Sequence, residues 1–327
     1  MLRPRRPAAR LRGHRNADGP GMAHPLRHRV LAVLLALAAG CLTGCATVVI
    51  GRTGAQGPAP RAGESDVTVA GASGDAVDKL ATDALADLQD YWSAAFPDVF
   101  GRPFQPLQGG YFSVDPDNID LAQYPQGVGC GSDPREAENN AFYCQSPNAP
   151  NSDSITYDRS FLGELGQQYG AFLPALVMAH EFGHAVQARV VSPSASIAVE
   201  TQADCYAGSW TRWVADGKAA RSRLREPQLD GLLRGYFLLR DPVGTSTAEQ
   251  SAHGSYFDRV SAFQDGFDGG PEACRDDFGP DRVFTQGSFS DRDEALTGGN
   301  APYADLLRIV ESSLPTVWAQ AFGDIFH

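Results

Sequence analysis

The sequence contains no apolar run long enough to span a bilayer comfortably, and it has few basic residues beyond residue 44. The longest apolar run covers residues 30–40, whereas a membrane-spanning helix needs about 20 residues. From Cys45 onward there are 19 basic and 38 acidic residues, a formal charge of about −19. Because a nucleic-acid backbone is itself negative, this charge argues against nonspecific nucleic-acid binding. We therefore expect no nucleic-acid partner.

The chain also lacks C-x-x-C pairs and internal repeats. Closely spaced cysteine pairs are typical of structural zinc knuckles, so their absence argues against a small zinc-ribbon protein. The composition, with 43% hydrophobic and 20% charged residues, is ordinary for a globular protein. A disordered or fibrous chain would depart from it.

Residues 1–44 have the layout of a bacterial export signal. A basic stretch, Arg27-His28-Arg29, precedes the apolar run, which has the length of a signal-peptide core. Leu42-Thr43-Gly44-Cys45 follows and resembles a lipobox, in which the cysteine is acylated and becomes the new N-terminus. The alternative is an ordinary secretory signal that ends near a cysteine. Met22 would give a more typical short leader, so residues 1–21 are left out of the fold prediction as a candidate misassigned start.

Beyond the leader we expect a lipidated tether and one domain. Residues 45–69 contain a stretch rich in Gly, Ala and Pro without apolar periodicity, which predicts a flexible linker. Residues 70–327 are expected to form a single domain. Lipid on Cys45 would hold this domain at the outer face of the cell membrane; the oligomeric state stays open.

Four cysteines remain in the domain: Cys130, Cys144, Cys205 and Cys274. In an exported protein four cysteines indicate two disulfides, with three possible connectivities. Cys130 and Cys144 bracket a short polar loop, which favours the pairs Cys130–Cys144 and Cys205–Cys274.

Hydrophobic periodicity predicts a mainly helical α+β domain with a small antiparallel sheet. Strand patterns cover residues 108–114 and 154–157. Helices are predicted at residues 75–95, 161–168, 173–191, 198–215, 229–239, 256–267 and 303–322. Pro97 is expected to end the first helix and Pro315 to break the last, because proline lacks a backbone N–H.

Residues 180–184 read His-Glu-Phe-Gly-His and lie on the predicted helix 173–191, whose first half is apolar all round. On a helix His180 and His184 share one face, so their imidazoles can point at one tetrahedral zinc ion. Glu181 is one step round the helix and can act on an attacking water without coordinating the metal. A metal-free histidine pair is the weaker interpretation, since burying polar groups without partners costs on the order of a few kcal/mol.

A catalytic zinc usually has three protein ligands, and Glu200, Asp204 and His253 are the candidates for the third. Small residues on helix 198–215 would let it lie close to the His180 helix, with Glu200 turned back toward the metal. Asp204, one turn further on, can accept a hydrogen bond from the free ring N–H of His180. Taken alone, Glu200 would be an ordinary acidic residue near a helix start. With only one ligand cluster, we expect one Zn²⁺ per chain.

The His-Glu-Phe-Gly-His stretch, followed by Glu-Thr-Gln-Ala-Asp-Cys-Tyr-Ala-Gly from Glu200, resembles the bacterial neutral zinc metallopeptidase family. The segments Phe142-Tyr143-Cys144, Ile155-Thr156-Tyr157-Asp158 and His253-Gly254-Ser255 with Asp258-Arg259 fit as well. The resemblance covers roughly residues 100–275, while residues 218–242 and the C-terminal tail match less clearly. It implies a zincin fold, hydrolysis of peptide bonds, zinc as cofactor and Glu200 as the third ligand.

His253 lies in a polar turn just before a predicted helix. In related zincins a His or Tyr donates a hydrogen bond to the tetrahedral oxyanion, and a helix-capping surface residue is the alternative. The leading hypothesis is a lipid-anchored zinc metalloendopeptidase with a polypeptide substrate and Glu181 as general base. Two alternatives remain: a non-catalytic zincin-like lipoprotein that binds an envelope partner, against which Glu181 argues, and a zinc hydrolase of cell-wall amide bonds.

Replacing Cys45 by Ser should release the protein from the membrane or leave its leader uncleaved. The acyl chains attach through the cysteine, and stable anchoring needs more than one lipid chain. Cell fractionation with mass analysis of the N-terminus measures both outcomes. A Cys45→Ser variant that stays anchored and processed like the parent would disprove the lipobox.

Overall fold

The structure is a computed structural model, and it describes residues 67–131 and 133–325. The predicted leader, the lipidation site Cys45 and the tether up to residue 66 lie outside these ranges. In the described part, no helix is both long and apolar enough to cross a membrane.

A small sheet forms one side of the domain. Its strands are β1 (Val69–Ala70), β2 (Gly110–Val114), β3 (Ala141–Cys144) and β4 (Ser154–Asp158), in the order β1-β2-β4-β3. β1 pairs with β2 and β2 with β4 in parallel, whereas only β3 and β4 are antiparallel. The predicted antiparallel sheet is therefore wrong, since this sheet is mixed. Long connections make parallel pairing possible, because the chain must cross over between such strands.

Eight α-helices account for most of the rest of the described chain and confirm the predicted mainly helical α+β class. They are α1 (Ala76–Phe100), α2 (Arg159–Tyr169), α3 (Leu173–Gln187), α4 (Ser196–Ala215), α5 (Glu226–Leu239), α6 (Tyr256–Asp276, kinked at Gly270), α7 (Arg292–Thr297) and α8 (Tyr303–Ile325). All seven predicted helices are present. The sequence patterns missed β1, β3 and α7, which are too short to show a clear period.

Both predicted proline breaks are wrong. α1 runs through Pro97 to Phe100 and ends at Gly101, whose left-handed backbone allows its N–H to bond to the Pro97 carbonyl. Val99, beyond the proline, is buried in the core, so packing favours one more helical turn. α8 likewise continues through Pro315. A proline removes a single backbone donor, and neighbouring turns can retain the helix despite that loss.

α3 is a central helix of the core. It packs against α1, α2, α4 and β3, and Pro174 lies in its first turn, where the missing N–H costs nothing. Gly183 faces Ala203 of α4 so closely that a Cβ on Gly183 would lie 2.9 Å from the Ala203 Cα. The absence of a side chain at Gly183 therefore allows these two helices to approach.

α4 packs in turn against α6, and a covalent bond joins them. Cys205 and Cys274 form a disulfide with a Cα–Cα distance of 5.5 Å, and Cys130 is bonded to Cys144 at the end of β3. These are the two pairs that the loop argument favours. Gly266 of α6 lies against the Cys205 carbonyl, where an added Cβ would come within 1.8 Å of the oxygen.

Replacing Gly266 by Ala should destabilise the domain by about 1–3 kcal/mol or more, because α4 and α6 would have to move apart. Gly279 is the matched control: a Cβ there meets nothing within 4 Å, so Gly279→Ala should stay within about 0.5 kcal/mol of the parent. Thermal or urea unfolding measures both. Equal stabilities for the two variants would contradict the close helix contact.

Candidate metal centre

His180 and His184 meet on one face of α3, as their spacing predicts. Their Nε2 atoms lie 3.2 Å apart. Nδ1 of His180 is 2.9 Å from Oδ1 of Asp204, and Nδ1 of His184 is 2.8 Å from Oε1 of Gln187. Because the carboxylate and the amide oxygen are acceptors, each Nδ1 carries the proton. In neutral rings this leaves the Nε2 lone pairs of both histidines free to bind a metal ion.

Glu200 completes the cluster from α4. Its Oε2 lies 3.3 Å from Nε2 of His180, and its Oε1 lies 3.6 Å from Nε2 of His184. One ligand atom from each of the three residues falls within 4.8 Å of the others, and no second cluster of this kind occurs in residues 67–131 and 133–325. Of the three candidates for a third ligand, the structure brings Glu200 to the histidines.

The electrostatics of this cluster favour a bound cation. Burial alone would lower the pKa of His180, but Asp204, Glu200 and Glu181 outweigh burial and raise it to about 10. The two imidazoles hold the pKa of Glu200 well below its usual range, although burial opposes this shift. Two nitrogens and one carboxylate oxygen are also the donor set of a catalytic zinc site. The residues present therefore fit Zn²⁺.

Asp204 occupies the position predicted for it, but sequence reasoning missed its second partner. Asp204 is buried and accepts from His180 on one side and from Arg259 of α6 on the other, at 2.8 and 2.9 Å. Burial opposes its ionisation, yet Arg259 and His180 hold the pKa of Asp204 below its usual range. Arg259 is itself buried and thus compensates the carboxylate that orients His180. The only signal for Arg259 was its place in the Asp258-Arg259 pair.

Glu181 lies beside the cluster rather than in it. It is only 7% exposed, and its Oε2 accepts a 2.8 Å hydrogen bond from the backbone N–H of Tyr143 in β3. Burial raises the pKa of Glu181 above its usual range, while the neighbouring imidazoles oppose the rise. A buried carboxyl next to a metal site has the environment of a proton acceptor.

One open cleft of about 570 Å³ is lined by the three candidate ligands together with Glu181, Asp204 and Arg259. His253 also lines it, and Nδ1 of His253 lies 3.1 Å from Oδ1 of Asp241. Asp241 was missed by the sequence reasoning; it also accepts from the backbone N–H groups of His253 and Gly254 and from the Gln286 side chain. The lining also includes large apolar side chains: Phe161, Leu176, Val177, Tyr236 and Leu239.

A protein-family model agrees with this geometry. The family described as "Putative neutral zinc metallopeptidase" matches residues 5–278, most of the chain. The chain belongs to this family. Membership in this zinc metallopeptidase family implies Zn²⁺ as the cofactor. The matched residues include the three candidate ligands and Glu181.

The chain is similar to proteins from Mycobacterium tuberculosis and Escherichia coli that are named as uncharacterized. The uncharacterized protein Rv2575 of Mycobacterium tuberculosis is 28% identical over 199 residues, which cover 52% of this chain and 64% of that protein. The uncharacterized protein YpfJ of Escherichia coli is 26% identical over 225 residues, 62% of this chain and 71% of that protein. The match thus spans less than two thirds of the mycobacterial relative. No solved structure matches the chain.

Removing the charge of Glu200 should weaken zinc binding more than removing that of Asp204. Glu200→Gln deletes a charged ligand, so its zinc content should fall close to zero after mild dialysis. Asp204→Asn acts through His180 and should weaken affinity by roughly 10–100-fold. Metal analysis and competition with a chromophoric chelator measure both. Parent-like affinity in Glu200→Gln would show that the third ligand lies elsewhere, with His253 the first residue to examine.

Proposed function

We propose that the chain is a lipid-anchored, extracytoplasmic zinc metalloendopeptidase. One observation carries the proposal: the buried carboxylate of Glu181 lies directly beside the His180–His184–Glu200 cluster without joining it, and all four groups line the same cleft. A site that only holds a metal needs no such base. A hydrolase does, because the attacking water must lose a proton.

The proposed reaction assigns each group one task. Zinc, when bound, polarises the scissile carbonyl and makes the attacking water more acidic. Glu181 accepts the proton of this water and delivers it to the leaving amine. His180, His184 and Glu200 would hold the metal, while Asp204 and Arg259 keep the His180 ring in one tautomer and orientation.

His253 is proposed to stabilise the oxyanion that develops on the scissile carbonyl. Asp241 accepts from the backbone N–H of His253 and lies against Nδ1 of its ring, which leaves Nε2 as the nitrogen that can reach a substrate. The proposed role requires a proton on both ring nitrogens, so that Nδ1–H donates to Asp241 and Nε2–H donates to the oxyanion. A positioned donor of this kind typically lowers the barrier by about 3–4 kcal/mol. The side chain of His253 is 48% exposed, so a substrate in the cleft can reach it.

Export is supported by the chemistry of the domain as well as by the leader. Disulfides persist in oxidising compartments and are rare in the bacterial cytosol. Two disulfides brace the domain, one next to β3 and one beside the Glu200 helix. Together with the lipobox pattern around Cys45, they favour an enzyme anchored by lipid outside the cytoplasmic membrane.

Replacing Glu181 by Gln should abolish turnover and leave zinc bound. The amide keeps the size of the carboxylate but cannot accept the water proton, and loss of a general base costs roughly 10²–10⁴-fold in rate. Digestion of a peptide library by zinc-loaded protein, read by mass spectrometry, gives the rate and the cleavage sites. Glu311→Gln is the control, because it removes the same charge from the exposed helix α8.

Other outcomes of this assay would favour the alternatives. A zinc-loaded parent that binds peptides without cleaving them would support a non-catalytic envelope-binding protein. Release of fragments from cell-wall material alone would support an amide hydrolase of the cell wall. Full activity in Glu181→Gln would refute the assigned base.

A further inference from the structure

The carboxylate of Glu181 is held by the backbone of an edge strand. β3 pairs only with β4 within the sheet, so its other edge faces the cleft. On that edge the N–H of Tyr143 donates to Oε2 of Glu181 at 2.8 Å. The orientation of the Glu181 side chain therefore depends on where β3 lies relative to α3.

The side chain of Tyr143 makes a second contact that holds β3 in position relative to α3. Its hydroxyl donates to Oδ1 of Asp153 at 2.7 Å. Asp153 is in turn held by both terminal nitrogens of Arg189, at 3.0 and 2.9 Å. Arg189 follows α3 by two residues, and its guanidinium also donates to the carbonyl of Ala185 in α3 at 2.7 Å.

These contacts close a ring of hydrogen bonds. Starting from Glu181, the ring passes through the backbone and side chain of Tyr143, then through Asp153 and Arg189, and returns to the same helix. β3 is thus tied at two points to the helix that carries His180 and His184. A ring that begins and ends on α3 constrains the Glu181 carboxylate relative to the metal ligands, which a tie elsewhere in the sheet would not do.

The ring is built from strong and well-shielded contacts. A bidentate arginine–carboxylate pair is directional and roughly twice as strong as a neutral hydrogen bond. The side chains of Arg189 and Asp153 are 11% and 21% exposed, so water screens the pair only in part. Asp153 adopts a positive φ of 66°, a left-handed conformation that Asp and Asn tolerate better than most other residues.

We propose that Tyr143, Asp153 and Arg189 are positioning residues for the general base. They hold the Tyr143 N–H against Oε2 of Glu181 and so fix the carboxylate in the orientation needed for proton transfer. The inference rests on the proposed peptidase function for its kinetic consequence. Its structural content, the restrained hydrogen bond between Tyr143 and Glu181, does not depend on catalysis.

Tyr143→Phe is the sharpest variant, because it removes only the hydroxyl and leaves the backbone donor in place. Without the hydroxyl, β3 is held less firmly and the Glu181 carboxylate is less well oriented. We therefore expect kcat to fall by roughly 10-fold and KM to stay within about two-fold of the parent, since small misplacements of a catalytic group are costly. Zinc content should stay at the parent level. The substrate is the fastest-cleaved peptide from the library, assayed with the zinc-loaded full chain.

Tyr157→Phe is the matched control. Tyr157 lies in the neighbouring strand β4, and its hydroxyl also donates to a carboxylate, that of Asp78, at 2.8 Å. Asp78 lies at the start of α1, outside the cleft. Removing this hydroxyl should lower thermal stability to an extent similar to Tyr143→Phe and leave kcat unchanged.

Amide hydrogen exchange supplies a readout that needs no activity. The Tyr143 N–H points away from β4 toward Glu181, so its protection in NMR exchange reports this one hydrogen bond. Exchange at residue 143 should become roughly 10-fold faster in Tyr143→Phe and faster still in Glu181→Ala, which lacks the acceptor. In Tyr157→Phe it should match the parent.

The outcomes are distinct. If Tyr143→Phe keeps parent-like exchange at residue 143 and parent-like kcat, the proposal is overturned. It is also overturned if the tyrosine control loses kcat to the same extent, because the effect would then be general destabilisation. If the parent cleaves no peptide but the exchange pattern holds, the proposed function fails and the restraint on Glu181 stands.

Discussion

The close approach of two imidazole nitrogens, 3.2 Å apart on one face of α3, is the feature on which the candidate metal centre depends. Asp204 and Gln187 accept hydrogen bonds from the Nδ1–H groups and so leave Nε2 of each ring as the nitrogen that can bind a metal. The charged groups around the two histidines also favour a bound cation. The carboxyl groups of Glu181, Glu200 and Asp204 outnumber the one guanidinium, that of Arg259, around the pair, and such an arrangement suits a divalent cation.

The packing of the helices brings the remaining groups of the site to the two histidines. Glu200 reaches the histidines only because α4 lies close against α3, and Gly183 permits that approach. α6 then packs on α4, is bonded to it through Cys205–Cys274, and brings Arg259 to the buried Asp204. The helix contacts that form this part of the core therefore also position the metal ligands: α4 brings Glu200 to the histidines, and α6 brings Arg259 to Asp204.

The two sides of the cleft differ in construction. One side is α3 and α4, whose positions are set by buried side chains. The other includes β3, a four-residue edge strand that is also held by the Cys130–Cys144 disulfide and by the hydrogen bond from Tyr143 to Asp153. His253 comes from a third segment, between α5 and α6, and is oriented by Asp241. A short strand and a turn can serve such a site only if polar contacts hold them in place.

The sequence by itself determined the features that follow from local periodicity. A spacing of four residues puts His180 and His184 on one helix face, the same spacing puts Glu200 and Asp204 one turn apart, and Glu181 cannot share the direction of its histidine neighbours. These relations hold in any helix, so no tertiary information was needed. The long amphipathic helices were accessible for the same reason. The disulfide pairs were predicted on another ground, because Cys130 and Cys144 bracket a short loop and Cys205 and Cys274 remain for the second bond.

Tertiary structure decided the rest, because the partners are distant in sequence and follow no period. Arg259 is 55 residues from Asp204, and Tyr143 is 38 residues from Glu181. The parallel pairing of β2 with β4 depends on how a long connection crosses the sheet, and α1 continues past Pro97 because buried contacts outweigh one missing hydrogen bond. Local rules fix where a side chain points along its own helix or strand. Only the packed chain fixes which group from another element it meets.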